Sequence, residues 1–261
     1  MKKIAFIFRY LKYWFTAKTK HGVHSPFVFD LVVNVFDDNK VYPCYKKIDN
    51  LRNKLYQSDA VIEVKDFGAG SLINPSSKRK VADIAKNSSK SSKYGQLLFR
   101  IVHRFKPSNL LEIGTSLGIS ALYQALPNNK ANVITLEGCP ETASIANSNF
   151  KSLAVSNINL VCGNFDETLV ELLKDLNSVD YVFFDGNHRK EPTISYFESC
   201  LEKIHNDSVF VFDDIHWSYE MEQAWEYIKN HKQVTVTIDL FFIGMVFFRR
   251  EQVKQHFVIK H

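Results

Sequence analysis

Cysteine is scarce. Cys44, Cys139, Cys162 and Cys200 are the four in the chain, and no two form a CxxC pair. That argues against a zinc knuckle and against a thioredoxin-like redox motif. Thiols so widely scattered read as buried cysteines in a reducing compartment. Long apolar runs are lacking too: no stretch approaches the roughly 18 uncharged apolar residues that a membrane-spanning helix needs. The opening MKKIAFIF imitates a secretory leader, but Arg9 and Lys12 cut its apolar run to the five residues Ile4–Phe8, and no clean small-residue cleavage site follows. The expected location is the cytoplasm.

What is present is ordinary globular material. The 261 residues are 45% apolar and 23% charged, with 13% aromatics, so bulk disorder and fibrous classes are excluded. The length fits one large domain, or one domain with a substantial appendage. Charge is unevenly spread. Residues 1–100 hold 19 Lys+Arg against 8 Asp+Glu, a net +11, and residues 101–261 hold 14 against 20, a net −6. The asymmetry predicts a basic, mainly helical extension or cap over 1–93 and a second domain over 94–261.

In the basic part, Ile4, Phe8, Leu11 and Phe15 recur at helical spacing, with Arg9 and Lys12 on other faces. A helix over 4–15 that packs on the rest of the chain is expected. Ser25-Pro26 opens a second helix near 27–36; 45–57 reads as a third, and 61–64 is strand-like. Asp66-Phe67-Gly68-Ala69-Gly70 is a glycine turn with no helix and strand behind it. It reads as a structural or lid loop in a Ser/Lys-rich stretch that surrounds a short helix at 81–87. His21 and His24 share one turn with no carboxylate close by, too thin a set for a metal.

From Leu110 onward, apolar runs of four to six residues alternate with helical patterns. Strands are expected at 109–113, 132–136, 158–162, 181–184, 209–212, 234–238 and 245–248. Helices are expected near 119–126, 140–153, 167–176, 192–204 and 219–230. Fully apolar strands separated by helices argue a parallel sheet covered on both faces. The last two strands have no helix between them and should close as an antiparallel edge hairpin. The expected class is α/β: a Rossmann-like, seven-stranded, mostly parallel sheet with a C-terminal antiparallel hairpin and an N-terminal helical extension. That architecture resembles the class I methyltransferases.

The strand ends carry the chemistry. The first ends in Glu112-Ile113-Gly114-Thr115-Ser116-Leu117-Gly118-Ile119-Ser120. A dinucleotide fingerprint needs GxGxxG to pack backbone under a pyrophosphate; here the pattern is ExGxxxG. S-adenosylmethionine has no pyrophosphate and carries a cationic sulfonium, so it needs less glycine and more carboxylate. Glu137 ends the second strand, where an acid can accept hydrogen bonds from both ribose hydroxyls. Asn164 ends the third, placed to read the adenine edge. Each feature alone is ordinary loop chemistry; successive strand ends that all carry one are not.

The fourth strand ends in Asp185-Gly186-Asn187-His188 and the fifth in Asp213-Asp214-Ile215-His216-Trp217. Ligands of open parallel sheets bind outside the carboxyl ends of the strands. Asp185, Asp213 and Asp214 should therefore meet, and three carboxylates together call for a counter-ion. An all-oxygen set suits Mg²⁺, Mn²⁺ or Ca²⁺ better than zinc. Such an ion would acidify a substrate hydroxyl, and His188 is placed to take its proton. The competing reading makes Asp213 or Asp214 a helix cap.

At these residues the stretch 94–249 resembles the cation-dependent O-methyltransferases of the catechol and caffeoyl-CoA type. Gly95-Gln96 looks like the Gly-Gln that those families place ahead of the first strand, and Gly114-Thr115-Ser116-Leu117-Gly118 looks like their cofactor loop. Asp185 matches their first metal-binding aspartate, Asp213-Asp214 their Asp-Asn pair, and Trp217 a tryptophan of the caffeoyl-CoA branch. Two positions depart: the family lysine is His188, and the family asparagine is Asp214. The resemblance implies S-adenosylmethionine as donor, held by Gly95, Gln96, Glu112, Gly114, Thr115, Ser116, Gly118, Ser120, Glu137, Asn164 and Asp185. It implies a divalent cation, magnesium first, on Asp185, Asp213 and Asp214, with His188 and Asp185 as the catalytic pair. The expected acceptor is a small-molecule hydroxyl.

No RNA-binding signature appears, and Phe-Asp-Gly at the fourth strand end is not the Asn-Pro-Pro-aromatic sequence of amino-directed base methylation. Nucleic acid is disfavoured as a partner. The basic first 93 residues leave peripheral contact with an anionic membrane open, as is a homodimer. Two rival functions stand beside the leading one: a metal-independent methyltransferase on another acceptor, and a non-catalytic binder built on the methyltransferase fold.

Overall fold

The computed structural model describes residues 2–65 and 77–261. The Asp66–Gly70 glycine turn lies outside the described residues. The chain begins with α1 (Lys2–Thr16), α2 (Pro26–Leu31, prolonged by a π-helical turn Val32–Phe36), α3 (Pro43–Tyr56), β1 (Val61–Glu63), β2 (Lys78–Lys80), α4 (Val81–Ser88) and α5 (Ser92–Phe105). Alternation follows: β3 (Asn109–Ile113), α6 (Ile119–Ala125), β4 (Asn132–Glu137), α7 (Pro140–Ser152), β5 (Ile158–Cys162), α8 (Phe165–Asp175), β6 (Tyr181–Phe184), α9 (Lys190–Leu201), β7 (Val209–Asp213) and α10 (Tyr219–Asn230). It closes with β8 (Val236–Asp239), β9 (Ile243–Phe247) and β10 (Gln255–Val258).

Eight strands form a mixed sheet in the order β10-β8-β9-β7-β6-β3-β4-β5, and β1 and β2 pair apart from it. The Rossmann-like sheet, its antiparallel hairpin β8–β9 and the N-terminal helices are as expected. The strand count is eight rather than seven. β10 runs parallel to β8, with Gln255 opposite Val236 and Val258 opposite Asp239. Its sequence, Gln-His-Phe-Val, holds two apolar residues and gives no strand signal.

Contacts divide the chain into two compact units, 38–172 and 1–37 with 173–261. The boundary expected at 93/94 falls inside α5.

In the 38–172 unit, β3, β4 and β5 are parallel. Leu111, Ile113, Val133 and Leu136 are wholly buried, which is why these runs read as continuously apolar rather than alternating. α5 meets α6 at Gly95, where a Cβ would stand 2.3 Å from Cε2 of Tyr123. Only glycine lets that ring lie against the helix.

In the other unit, β6 and β7 are parallel, and β9 is antiparallel to both β7 and β8. α2 starts at Pro26, with Ser25 Oγ accepting from the Val28 N–H at 3.4 Å. α1 packs, but not through the stripe predicted for it. Its inward side is Phe6, Tyr10 and Tyr13, whose rings lie 5.4, 5.0 and 5.3 Å from that of Phe241. Tyr13 Oη donates to the Ile259 carbonyl at 2.6 Å, and Arg9 pairs with Glu222 at 2.6 Å. The predicted stripe faces outward: Ile4 is 60% exposed, Phe8 67%, Leu11 43% and Phe15 82%. The inward side is held by edge-to-face and tilted ring contacts with Phe241 and by the Tyr13 hydroxyl, which finds a carbonyl there. The chain's two ends are also joined by backbone: Lys18 N–H donates to Val258 C=O at 2.8 Å, and Lys260 N–H to Lys18 C=O at 2.9 Å.

All four cysteines are free, but only Cys139 and Cys200 are buried. Cys44 is half-buried, and Cys162, on the open side of edge strand β5, is exposed. Among the described residues, no helix is long and apolar enough to cross a membrane.

Candidate active site

The first group of predicted residues lies around the turn after β3. The chain there passes through left-handed backbone three times, at Gly114 (φ 107°), Ser116 (φ 49°) and Gly118 (φ 81°). Glycine carries two of the three, as its freedom from Cβ strain requires. Gly118 is constrained twice, since a Cβ there would stand 2.4 Å from Cε1 of Phe150.

Polar bonds hold the turn. Glu112 is wholly buried; its Oε1 accepts from Gln124 Nε2 at 2.7 Å and its Oε2 from Thr135 Oγ1 at 2.6 Å. Thr135 has one hydroxyl proton, given to Glu112, so Thr115 Oγ1, 2.6 Å away, must donate to Thr135. Glu137, at the end of β4, accepts from the Ser116 N–H at 2.8 Å and the Cys139 N–H at 2.9 Å. Its carboxylate thus clamps the β3 turn to the β4 turn. Burial, then the nearby Glu137 charge, pushes the Cys162 thiol up.

Asn164 opens α8: its Oδ1 accepts from Asp166 N–H at 3.3 Å and its carbonyl from the Thr168 N–H at 2.9 Å. Gly95 is buried in α5 and Gln96 is half-buried; Ser120 is buried in α6.

The second group lies at the ends of β6 and β7. Asp213 is 1% exposed. Nε2 of His188 stands 3.5 Å from Oδ1 of Asp185. One ligand atom from each of Asp185, His188 and Asp213 lies within 4.8 Å of the others. The cluster is therefore two carboxylates and an imidazole, and Asp214 is not in it. At Asp214 the backbone turns left-handed (φ 53°), its N–H donates to Phe242 C=O at 2.7 Å, and its own C=O accepts from the Trp217 N–H at 2.9 Å. This cluster differs from the expected set of three aspartates at one position: Asp214 shapes the turn after β7, and His188 is the third member of the cluster.

The approach to the cluster is strained. Asn187 (φ 67°) and His188 (φ 47°) are consecutive non-glycine residues in left-handed backbone. Such positions cost about 1–3 kcal/mol each and gather at functional sites. Asn187 Nδ2 donates to Tyr196 Oη at 3.3 Å, and Nδ1 of His188 is buried without a hydrogen-bond partner. Sequence spacing found Asp185 and Asp213 but not the bend that swings His188 back to Asp185. The signal for it was Gly186-Asn187, a pair tolerant of positive φ.

The donor chemistry fits a divalent cation. Carboxylates alone favour Mg²⁺ or Ca²⁺; an imidazole moves the preference toward Mn²⁺ and the later first-row ions.

Residues 111–215 match a family model described as a methyltransferase domain. A catechol O-methyltransferase of Niastella koreensis is 28% identical over 129 residues, 48% of this chain and 57% of that one. A catechol O-methyltransferase of Sus scrofa is 33% identical over 116 residues, 41% of this chain and 61% of that one. The chain thus spans about three fifths of the curated relatives it matches. A Podospora anserina methyltransferase, solved with SAH bound, superposes with TM-score 0.61 at 15% identity, over 87% of this chain and 97% of that one. At that identity the likeness is one of fold. Residues 111–215 thus match a methyltransferase domain, in a chain similar in sequence to the catechol O-methyltransferases and in fold to a solved methyltransferase.

Proposed function

We propose that the chain transfers the methyl group of S-adenosylmethionine to the hydroxyl of a small molecule, with a divalent cation on Asp185, His188 and Asp213. The observation that carries this reading is the convergence of those three side chains within 4.8 Å at adjacent strand ends. It is supported by the names of the relatives, both catechol O-methyltransferases.

The residues divide the work. The Gly114–Gly118 turn lets backbone approach the donor, and Glu137, oriented by two backbone N–H groups, accepts from its ribose. Gly95, Gln96, Ser120 and Asn164 complete that side of the proposal, while Glu112 braces the turn from beneath. When bound, the cation lowers the pKa of the acceptor hydroxyl and fixes its oxygen. In the transfer the O–C bond forms as the C–S bond breaks, leaving S-adenosylhomocysteine, and the hydroxyl proton passes to base or solvent. Positioning is the main contribution of the chain.

A second reading rests on the 3.5 Å separation of His188 and Asp185. That is also the arrangement of a general base and the carboxylate that orients it. Nε2 of His188 would then take the proton and Asp185 would stabilise the imidazolium, without a metal.

Metal dependence separates the two. Enzyme stripped with excess chelator and assayed on a catechol should lose turnover and regain it with Mn²⁺ or Mg²⁺. Turnover at the untreated rate would leave the metal-free reading standing and remove the first.

A further inference from the structure

We propose that α1 seats this protein on an anionic lipid surface. α1 has two apolar sides and the protein covers one. Phe6, Tyr10 and Tyr13 pack against Phe241. Opposite them, Ile4, Ile7, Phe8, Leu11, Trp14 and Phe15 are each between 43% and 82% exposed. A surface helix ordinarily turns charge outward. Here these six α1 residues are among the sixteen exposed large hydrophobics of the described residues, so the patch is one feature and not scattered surface apolarity.

Charge identifies the occupant. The first 29 residues contain six Lys+Arg and no Asp or Glu. Lys12 and Lys18 are exposed, and Nζ of Lys260 stands 3.6 Å from the Trp14 ring centroid. Apolar side chains bordered by cations, with a tryptophan among them, match the headgroup boundary of an anionic bilayer. A second copy fits badly, because pairing these faces would set Lys12, Lys18 and Lys260 against their own copies. The helix has 15 residues, short of the roughly 20 needed to cross a bilayer. It would lie in the plane of the interface.

The test uses the full chain with vesicles of phosphatidylcholine alone, or with phosphatidylserine as a third of the lipid. Cosedimentation with the anionic vesicles is expected, at least tenfold weaker with phosphatidylcholine alone and weakened further by salt. F8E/F15E, at two outward positions, should reduce binding at least tenfold while the melting temperature stays within a degree or two. K12E/K18E should reduce it on anionic vesicles only. The proposal is overturned if the folded chain ignores anionic vesicles, or if F8E/F15E binds as well as the parent. It is also overturned if the parent self-associates in solution and F8E/F15E abolishes that, which would assign the face to a second copy.

Discussion

Gly118→Ala tests the physical account of the donor turn. Gly118 carries φ 81°, and its missing Cβ would meet Phe150 Cε1 at 2.4 Å, Phe150 Cζ at 2.8 Å and Ala146 Cβ at 3.3 Å. Phe150 is 3% exposed, so its ring cannot retreat into solvent. Left-handed backbone at alanine costs about 1–2 kcal/mol, and forced overpacking adds about 1–3 kcal/mol. The expected loss is therefore about 2–5 kcal/mol, measured as a shift of the urea midpoint at constant slope. Gly95→Ala provides the contrast. Its Cβ would also collide, 2.3 Å from Tyr123 Cε2, but α5 is ordinary helix, where alanine is preferred over glycine by about 0.5–1 kcal/mol. Its net cost should be about 0–2.5 kcal/mol. Phe150→Leu placed on Gly118→Ala should recover part of the packing loss and none of the backbone loss, a coupling that a double-mutant cycle reads directly. The reasoning fails if Gly118→Ala unfolds within 0.5 kcal/mol of the parent, or if Gly95→Ala is the more damaging of the pair.

Three further outcomes are expected. Glu137→Ala should weaken S-adenosylmethionine binding by about 1.5–3 kcal/mol, the worth of a hydrogen bond to a charged group; calorimetry on the folded variant with unchanged affinity would remove Glu137 from the donor site. Burial holds His231 and His256 below the usual imidazole range, so the unfolded chain binds more protons than the folded one just below about pH 6.5. Stability should fall as pH drops through that range toward the lower folded-state values, and His256→Gln should flatten the melting-temperature profile there. Ellman's reagent should modify exposed Cys162 at a rate that rises with pH, since its thiol is pushed up, and leave Cys139 and Cys200, both buried, untouched until unfolding; prompt modification of Cys200 would contradict its burial.

The sheet was largely legible because buried parallel strands leave a plain record. Tyr181–Phe184 and Val209–Asp213 are buried at every position, so no solvent face dilutes the apolar run. β10 left no such record, since its residues are exposed or half-buried and it pairs on one side alone, with β8, at the edge of the sheet. α5 was missed although Leu97, Leu98, Ile101 and Val102 recur at helical spacing; the Ser/Lys-rich lead-in hid its start. α1 was legible as a helix but not as to its buried side. Two apolar stripes compete there, and the tertiary partner, Phe241, decides between them. At the acidic cluster, residue type and strand-end position located Asp185 and Asp213. The approach of His188 to Asp185 depends on consecutive positive φ values, which no periodicity encodes.

The joining of the chain's ends has a consequence for the order of events at synthesis. Tyr13 waits for Ile259, 246 residues later. At about 5–20 residues per second, that partner follows roughly 12–50 s behind. The stretch 38–172 is a compact unit with its own core, complete in sequence long before then. Until Trp217, Glu222 and Phe241 are made, a nascent helix with aromatic residues on both sides lacks the partners it packs on, and the first helix made is among the last to be seated.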